Sequence, residues 1–299
     1  MQPPQKLKLL FAINPVSGGQ SKESWEESIK TYCEDRPHEL NLLMLNGEDD
    51  EDRLTQEIET YKPDRVVAVG GDGTVKMVAE RLLNRNIPLG ILPAGSANGM
   101  ARDLALPTNA EEALNVIVNG RVQPIDLICV NDKDLCLHLS DIGLNAQLVK
   151  YYHDNNWRGK LGYARGVLRV LLRKRPMNVE ISTAKGMMRR EAFMVALANA
   201  RMYGTGAVIN PEGDVSDGYF EVIIIRQFSW PEFLKMFWRY RPFDPKKIEV
   251  FHAKSLTIET RKRAYFQIDG EYRGLIKRLD ARILPGQLQV MLPQEEEEV

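Results

Sequence analysis

The stretch Val66-Val67-Ala68-Val69-Gly70-Gly71-Asp72-Gly73-Thr74 runs four apolar residues straight into two glycines, a carboxylate, a third glycine and a hydroxyl. A short apolar run bounded by glycines has the pattern of a buried parallel strand, and the helix-like segment Val75 to Leu83 follows at once. The glycines therefore stand at the carboxyl end of a strand, the edge of an open α/β sheet where ligands bind. There, bare backbone amides close on a phosphate beside a helix N-terminus. Asp72 is out of place in such a turn. A carboxylate repels phosphate unless a cation lies between them, so it points to Mg²⁺-nucleotide chemistry or to proton abstraction from an attacking hydroxyl. Read without any ligand, the same residues make a Gly-Asp-Gly turn joining strand to helix.

Outward from this loop, strand and helix alternate. Leu7 to Ile13 reads as a strand ending in Asn14-Pro15-Val16-Ser17-Gly18-Gly19, with a helical pattern to about Cys33. Glu39 to Leu45 is a second strand, Asp52 to Tyr61 a helix, Arg65 to Val69 the third strand, Val75 to Leu83 a helix and Leu89 to Leu92 a fourth strand. Alternation to about residue 118 implies a doubly wound parallel sheet covered on both faces. After Pro124 the texture changes to strand-like runs, in 127–149 and again in 178–292. Phe193 to Ala198, Phe220 to Ile225, Ser255 to Glu259, Tyr265 to Ile268 and Gln287 to Leu292 are the clearest. One helix, Gly159 to Arg173, interrupts them and stops before Pro176. The expectation is an α/β domain over 1–126, a β-rich domain over 127–293 and an acidic disordered tail over 294–299, whose like charges resist burial.

Composition narrows the function. The formal net charge of −1 over 299 residues argues against a general nucleic-acid binder. Cys33, Cys129 and Cys136 show neither C-x-x-C spacing nor a nearby histidine pair, so no disulfide framework or zinc site is expected. His38, His138, His153 and His252 are scattered without metal-ligand spacing. No run of eighteen apolar residues occurs, and Met1 to Leu10 lacks the pattern of a cleaved leader, so the expected place is a reducing cytoplasm.

Three further segments join the glycine loop. Asn14-Pro15-Val16-Ser17-Gly18-Gly19 offers a turn, a hydroxyl and exposed amides for a second part of a polyphosphate. Leu92-Pro93-Ala94-Gly95-Ser96-Ala97-Asn98-Gly99-Met100-Ala101-Arg102 repeats that chemistry after strand four. Far downstream, Ile268-Asp269-Gly270-Glu271 places two carboxylates about a glycine. Neither G-x-x-x-x-G-K-[ST] nor G-x-G-x-x-G is present, which removes the two commonest rival phosphate sites.

This combination resembles the diacylglycerol kinase catalytic-domain superfamily, which includes sphingosine and ceramide kinases and bacterial lipid kinases. The resemblance covers most of the chain, from Asn14 to Glu271 at least. It implies an N-terminal nucleotide domain of the NAD kinase and diacylglycerol kinase type, a C-terminal β-sandwich-like domain, and ATP in the cleft between them. Asn14, Pro15, Ser17, Gly18, Gly70, Gly71, Gly73, Thr74, Ser96 and Asn98 would then serve ATP. Asp72 would help organise Mg²⁺, and Glu271 would be the base taking the lipid hydroxyl proton, although the sphingosine-kinase branch gives that role to the aspartate matching Asp72. Asn210-Pro211-Glu212-Gly213-Asp214-Val215-Ser216-Asp217-Gly218-Tyr219 resembles a loop holding a structural Mg²⁺, with Asp217 as carboxylate and carbonyls from Asp214 and Tyr219. Asp126 resembles a further member of the magnesium-linked network. Gly99 departs from the pattern, since many bacterial members carry aspartate after the asparagine matching Asn98.

The implied activity is transfer of the γ-phosphoryl group of MgATP to the hydroxyl of a membrane lipid such as diacylglycerol, as in phospholipid metabolism. Two alternatives stand beside it: an NAD-kinase-like or other soluble-alcohol kinase, and a nucleotide- or lipid-binding regulator with impaired catalysis. A lipid substrate requires peripheral contact with the inner membrane face. Trp230 to Phe243, with Lys246 and Lys247 after it, mixes aromatic and basic residues as a headgroup interface does, or as a helix packing its aromatics inward does. The basic helix around Arg165 to Arg175 is a second such surface. No nucleic-acid partner is expected, and a homodimer is left open.

Overall fold

The computed structural model describes residues 6–15, 22–34, 36–154, 175–202, 207–236 and 242–294. The chain forms two compact units, Met1–Ile125 with Gly286–Val299, and Asp126–Pro285. The first unit is therefore discontinuous, in contrast to the contiguous 127–293 second domain expected from the sequence.

The first unit is built on strands β1 (Lys8–Ile13), β2 (Glu39–Met44), β3 (Arg65–Gly70) and β4 (Leu89–Pro93). They lie in the order β2-β1-β3-β4, all parallel. Helices α1 (Lys22–Glu34), α2 (Asp50–Tyr61), α3 (Asp72–Leu82), α4 (Gly99–Asp103) and α5 (Ala110–Asn119) complete it. β3 and β4 read as continuous apolar runs because helices cover both faces of the sheet. Leu9, Phe11, Val67, Val69 and Leu92 pack with Ile29 of α1 and with Leu114 and Ile117 of α5. On the other side α2 and α3 turn Leu54, Ile58, Val75, Val78, Ala79 and Leu82 inward. The last part of the long strand β14 (Glu271–Leu292) adds a parallel neighbour to β4, Val290 pairing with Leu89.

The second unit contains β5 (Arg121–Val130, from Asp126 onward), β6 (Asp134–Cys136), β7 (Leu139–Gly143), α6 (Leu144–Asp154), β8 (Met177–Thr183), β9 (Gly186–Ala192), β10 (Met194–Ala198), β11 (Phe220–Ile225), α7 (Trp230–Lys235), β12 (Ile248–Ala253), β13 (Ser255–Ile268) and most of β14. β12, β11, β10 and β7 form an antiparallel series that reaches the far end of β13 at Phe266 to Ile268. The near end of β13, Leu256 to Thr260, pairs instead with β8, which pairs with β9. Irregular register between Glu259 and Ala264 lets one strand serve both layers. The layers enclose one core that includes Ile128, Ile142, Val179, Val195, Leu197, Phe220, Val222, Ile258, Phe266 and Leu279. Met194, Ala196 and Ala198 point the other way, into a second cluster with Ile209, Met236 and Phe233.

Two departures from the sequence reading stand out. Residues 144–149, read within a strand-like run, belong to α6; β13 joins the two expected strands Ser255 to Glu259 and Tyr265 to Ile268 into one, and β14 extends the expected Gln287 to Leu292 back to Glu271. The expected helix Gly159 to Arg173 lies outside the described residues.

Candidate active site

In the first unit, β1 to β2 runs one way across the sheet and β3 to β4 the other, so the carboxyl ends of β1 and β3 flank the point where strand order reverses. Asn14 ends β1. Its backbone N–H donates to Val69 O at 2.9 Å, and its side-chain Nδ2 donates to Thr74 Oγ1 at 3.1 Å. Thr74 is buried directly over Gly70: a Cβ on Gly70 would stand 2.3 Å from Thr74 Oγ1. The next loop approaches equally closely, since a Cβ on Gly95 would lie 2.4 Å from the Cα of Gly71. Glycine at these positions permits backbone to touch backbone. Pro15 is half-buried beside Asn14, while Gly73 and Ser96 are exposed at the same edge. Ser17 and Gly18 lie outside the described residues.

Asp72 is the first residue of α3, with Gly71 as N-cap, rather than part of a free loop. Its carboxylate reaches across to the next loop. Oδ2 accepts from Gly99 N at 3.0 Å and Oδ1 from Met100 N at 3.1 Å, so Asp72 caps α4 from another element. Gly99, the position lacking the expected aspartate, meets Asp72 through its amide. Asn98 takes a left-handed conformation (φ 51°). Its side chain is engaged within its own loop, accepting from Gly95 N at 2.8 Å and donating to Pro93 O and Gly95 O.

In the second unit, Asp269 (φ 49°) and Gly270 (φ 83°) form the two-residue turn between β13 and β14. Positive φ at both positions is the hairpin geometry that Asp-Gly favours. Asp269 Oδ1 accepts from His138 N at 2.9 Å and Leu139 N at 3.3 Å, and Oδ2 from Leu137 N at 3.2 Å. Below it Gln267, fully buried, accepts from Gly270 N at 2.7 Å and donates to buried Asp141 at 2.5 Å. Asp141 in turn caps α6 through Ala146 N at 2.9 Å. The turn is thus fixed from two sides, and it holds Glu271 at the surface with its carboxylate 2.8 Å from Arg273.

Asp126 is buried, and its Oδ2 accepts from Gly218 N at 2.7 Å, bracing the loop that carries Asp214, Asp217 and Tyr219. Asp214 accepts from Ser216 N and Oγ, and Asp217 from Tyr219 N at 2.8 Å. Asp217 also stands with Glu221 and His252, their ligand atoms within 4.8 Å of one another. Burial pushes the Glu221 carboxyl above the ordinary range; the hydrogen bond from Asn210 and the neighbouring His252 oppose this, and the charge of Asp217 adds to it. Two carboxylates crowded into one corner are chemistry that a hard cation relieves, so the Asp217 part of this loop fits Mg²⁺. Glu221 and His252, directly opposed on β11 and β12, escape a search by sequence spacing because strand pairing alone brings them together.

Residues 8–130 match the diacylglycerol kinase catalytic domain, and residues 140–292 match the YegS C-terminal NAD kinase beta sandwich-like domain. The chain belongs to the diacylglycerol kinase family. Among its family relatives, the diacylglycerol kinase of Bacillus subtilis is 25% identical over 276 residues, covering 88% of this chain and 89% of the relative. That of Mycobacterium tuberculosis is 26% identical over 296 residues, covering 96% and 95%. Among solved structures, a diacylglycerol kinase from Bacillus anthracis superposes with a TM-score of 0.76 at 21% identity, covering 96% of this chain and 98% of that one. An NAD kinase from Archaeoglobus fulgidus in complex with ATP reaches a TM-score of 0.55 at 14% identity, covering 95% and 93%. The fold is therefore that of diacylglycerol and NAD kinases.

Proposed function

We propose that this family member is an ATP-dependent lipid kinase that transfers the γ-phosphoryl group of MgATP to the hydroxyl of a membrane lipid such as diacylglycerol. The observation that carries the reading is the Asn14 to Thr74 bond across the sheet's reversal point, beside the close approach of Gly71 and Gly95 in the loops after β3 and β4. Two backbone loops this close, free of side chains between them, suit a polyphosphate held by amides and hydroxyls. The lipid oxygen attacks the γ-phosphorus as the bond to the β,γ-bridging oxygen breaks, and the hydroxyl proton passes to a carboxylate. Glu271 fits that role because a doubly anchored turn presents it at the surface. Mg²⁺, when bound, neutralises phosphate charge; Asp72 would serve it near the nucleotide, and Asp217, with Asp126 bracing its loop, would hold it structurally.

The test is incubation of the full chain with γ-labelled ATP and Mg²⁺, with diacylglycerol, other lipid alcohols and NAD as separate acceptors. Label entering a lipid supports the reading. Label entering NAD alone assigns the chain to soluble-alcohol phosphorylation, and nucleotide binding without transfer to any acceptor assigns it to the regulators.

A further inference from the structure

Helix α7 presents an apolar face that the described residues leave exposed. Trp230 and Leu234, 59% and 52% exposed, are four residues apart and so lie on one side of the helix. They are not loose. Trp230 stands edge-on to Phe228 and Phe233, with ring centroids 5.4 and 5.9 Å away, and Phe233 is packed into the cluster that includes Met194 and Met236. An indole held outward by two rings has little rotamer freedom left to lose on binding.

Around this face the acid of the helix is buried, and two cations, Arg226 and Lys246, are exposed. Glu232, the acid of the helix, is 4% exposed and turned inward, accepting from Lys235 Nζ and from Asp244 N, each at 3.1 Å. Asp244 is engaged by Lys247 at 3.7 Å and by the amide of Lys246. Lys247 Nζ lies 3.4 Å from Ser229 Oγ at the start of the helix, Lys246 and Arg226 are exposed, and the backbone of Arg226 is bonded to that of Lys247. The face therefore offers an indole and a leucine beside exposed Arg226 and Lys246, with Glu232 buried and Asp244 paired with Lys247.

We propose that this face of α7 seats the protein on an anionic bilayer, Trp230 and Leu234 entering the headgroup boundary and Lys246, Lys247 and Arg226 facing lipid phosphates. Tryptophan favours that depth, and a cationic rim needs an anionic partner. The proposal rests on the lipid-kinase reading, which requires a water-exposed enzyme to work on a lipid alcohol. It selects a described, anchored surface from the broader Trp230 to Lys247 segment; residues 237–241 lie outside the described residues and form no part of it.

The experiment is sedimentation of the full chain with phosphatidylcholine vesicles, with and without phosphatidylglycerol, alongside phosphorylation of a short-chain, water-soluble diacylglycerol without vesicles. Wild type should sediment with the anionic vesicles and release as salt rises. Trp230→Ser with Leu234→Ser should weaken partition about tenfold or more, whereas Met187→Ser, at an equally exposed apolar site (58%) on β9, should leave it unchanged. Turnover of the soluble substrate should persist in both variants. If the double variant fails to fold, Leu234→Glu carries the same prediction through charge repulsion. Unaltered vesicle binding in a folded α7 variant overturns the proposal, as does a wild type that ignores anionic vesicles or a wild-type dimer that the double substitution dissociates. Failure of the lipid-kinase reading is seen separately, as absence of soluble-substrate turnover in wild type.

Discussion

At the scale of single residues, three substitutions separate holding from chemistry. Gly95→Ala would drive a methyl to within 2.4 Å of the Gly71 Cα, so one loop must retreat. Nucleotide affinity should fall about tenfold or more by titration, since displacing the loops from amide reach forfeits at least one charge-assisted bond. Asp72→Asn keeps one acceptor but sets an amide against an N–H of α4. It should cost on the order of 1–3 kcal/mol in thermal unfolding and lower kcat about a hundredfold or more if the charge also serves the metal. A stability loss with normal turnover would confine Asp72 to capping α4. Glu271→Gln keeps its shape and should drop kcat by about two to four orders of magnitude with nucleotide affinity unchanged; collapse of ATP binding instead would remove it as the base. The glycines and carboxylates themselves were legible in the sequence because each stands beside its own strand end. Their partners were not, since Asp72 meets amides 27 and 28 residues away and Asp269 meets amides more than a hundred residues earlier.

At the scale of elements, the parallel strands of the first unit announce themselves, because a strand buried on both faces must be apolar throughout, as Val66 to Val69 is. α6 did not. Buried strand β7 runs into it through Gly143 (φ 109°), and the helix is secured by Asp141 capping Ala146, a bond the periodicity of Leu144 to Asp154 does not reveal. Cross-layer ties are equally invisible in sequence. Arg190 on β9 grips Glu249 on β12 with paired bonds of 2.7 and 2.9 Å, although neither strand pairs with the other. The Arg190 hydrogen bond holds the Glu249 carboxyl below its ordinary value of 4.5. With the folded value depressed, the stabilisation is complete above the unfolded value and disappears as pH falls through the folded one. Glu249→Gln should therefore lower stability by roughly 1 kcal/mol near neutral pH, and the difference in Tm should shrink steadily on acidification below about 4.5. A difference constant with pH would mean that packing, not charge, is lost.

At the scale of the whole molecule, the decisive fact is that the first unit borrows residues from the far end of the chain. Leu288, Val290, Met291 and Leu292 are buried in it, and Val290 lies beside Leu89. Truncation after Pro285 removes those four side chains and should cost several kcal/mol at about 1.5–3 kcal/mol each, read as loss of nucleotide binding and of the first unit's unfolding transition. Retained ATP affinity would show that β4 tolerates an open edge. The same arrangement orders events during synthesis. A ribosome that has made residues 1–125 has made every described helix of the first unit but not its closing strand, and at about 5–20 residues per second that strand emerges only after roughly ten to thirty seconds of further translation. The β-rich unit has all its residues first, reversing the usual N-terminal-first sequence. Until then the nascent β4 exposes an unpaired hydrophobic edge, so a stalled or truncated message yields a chain fit for chaperones and proteases rather than an idle, folded first unit.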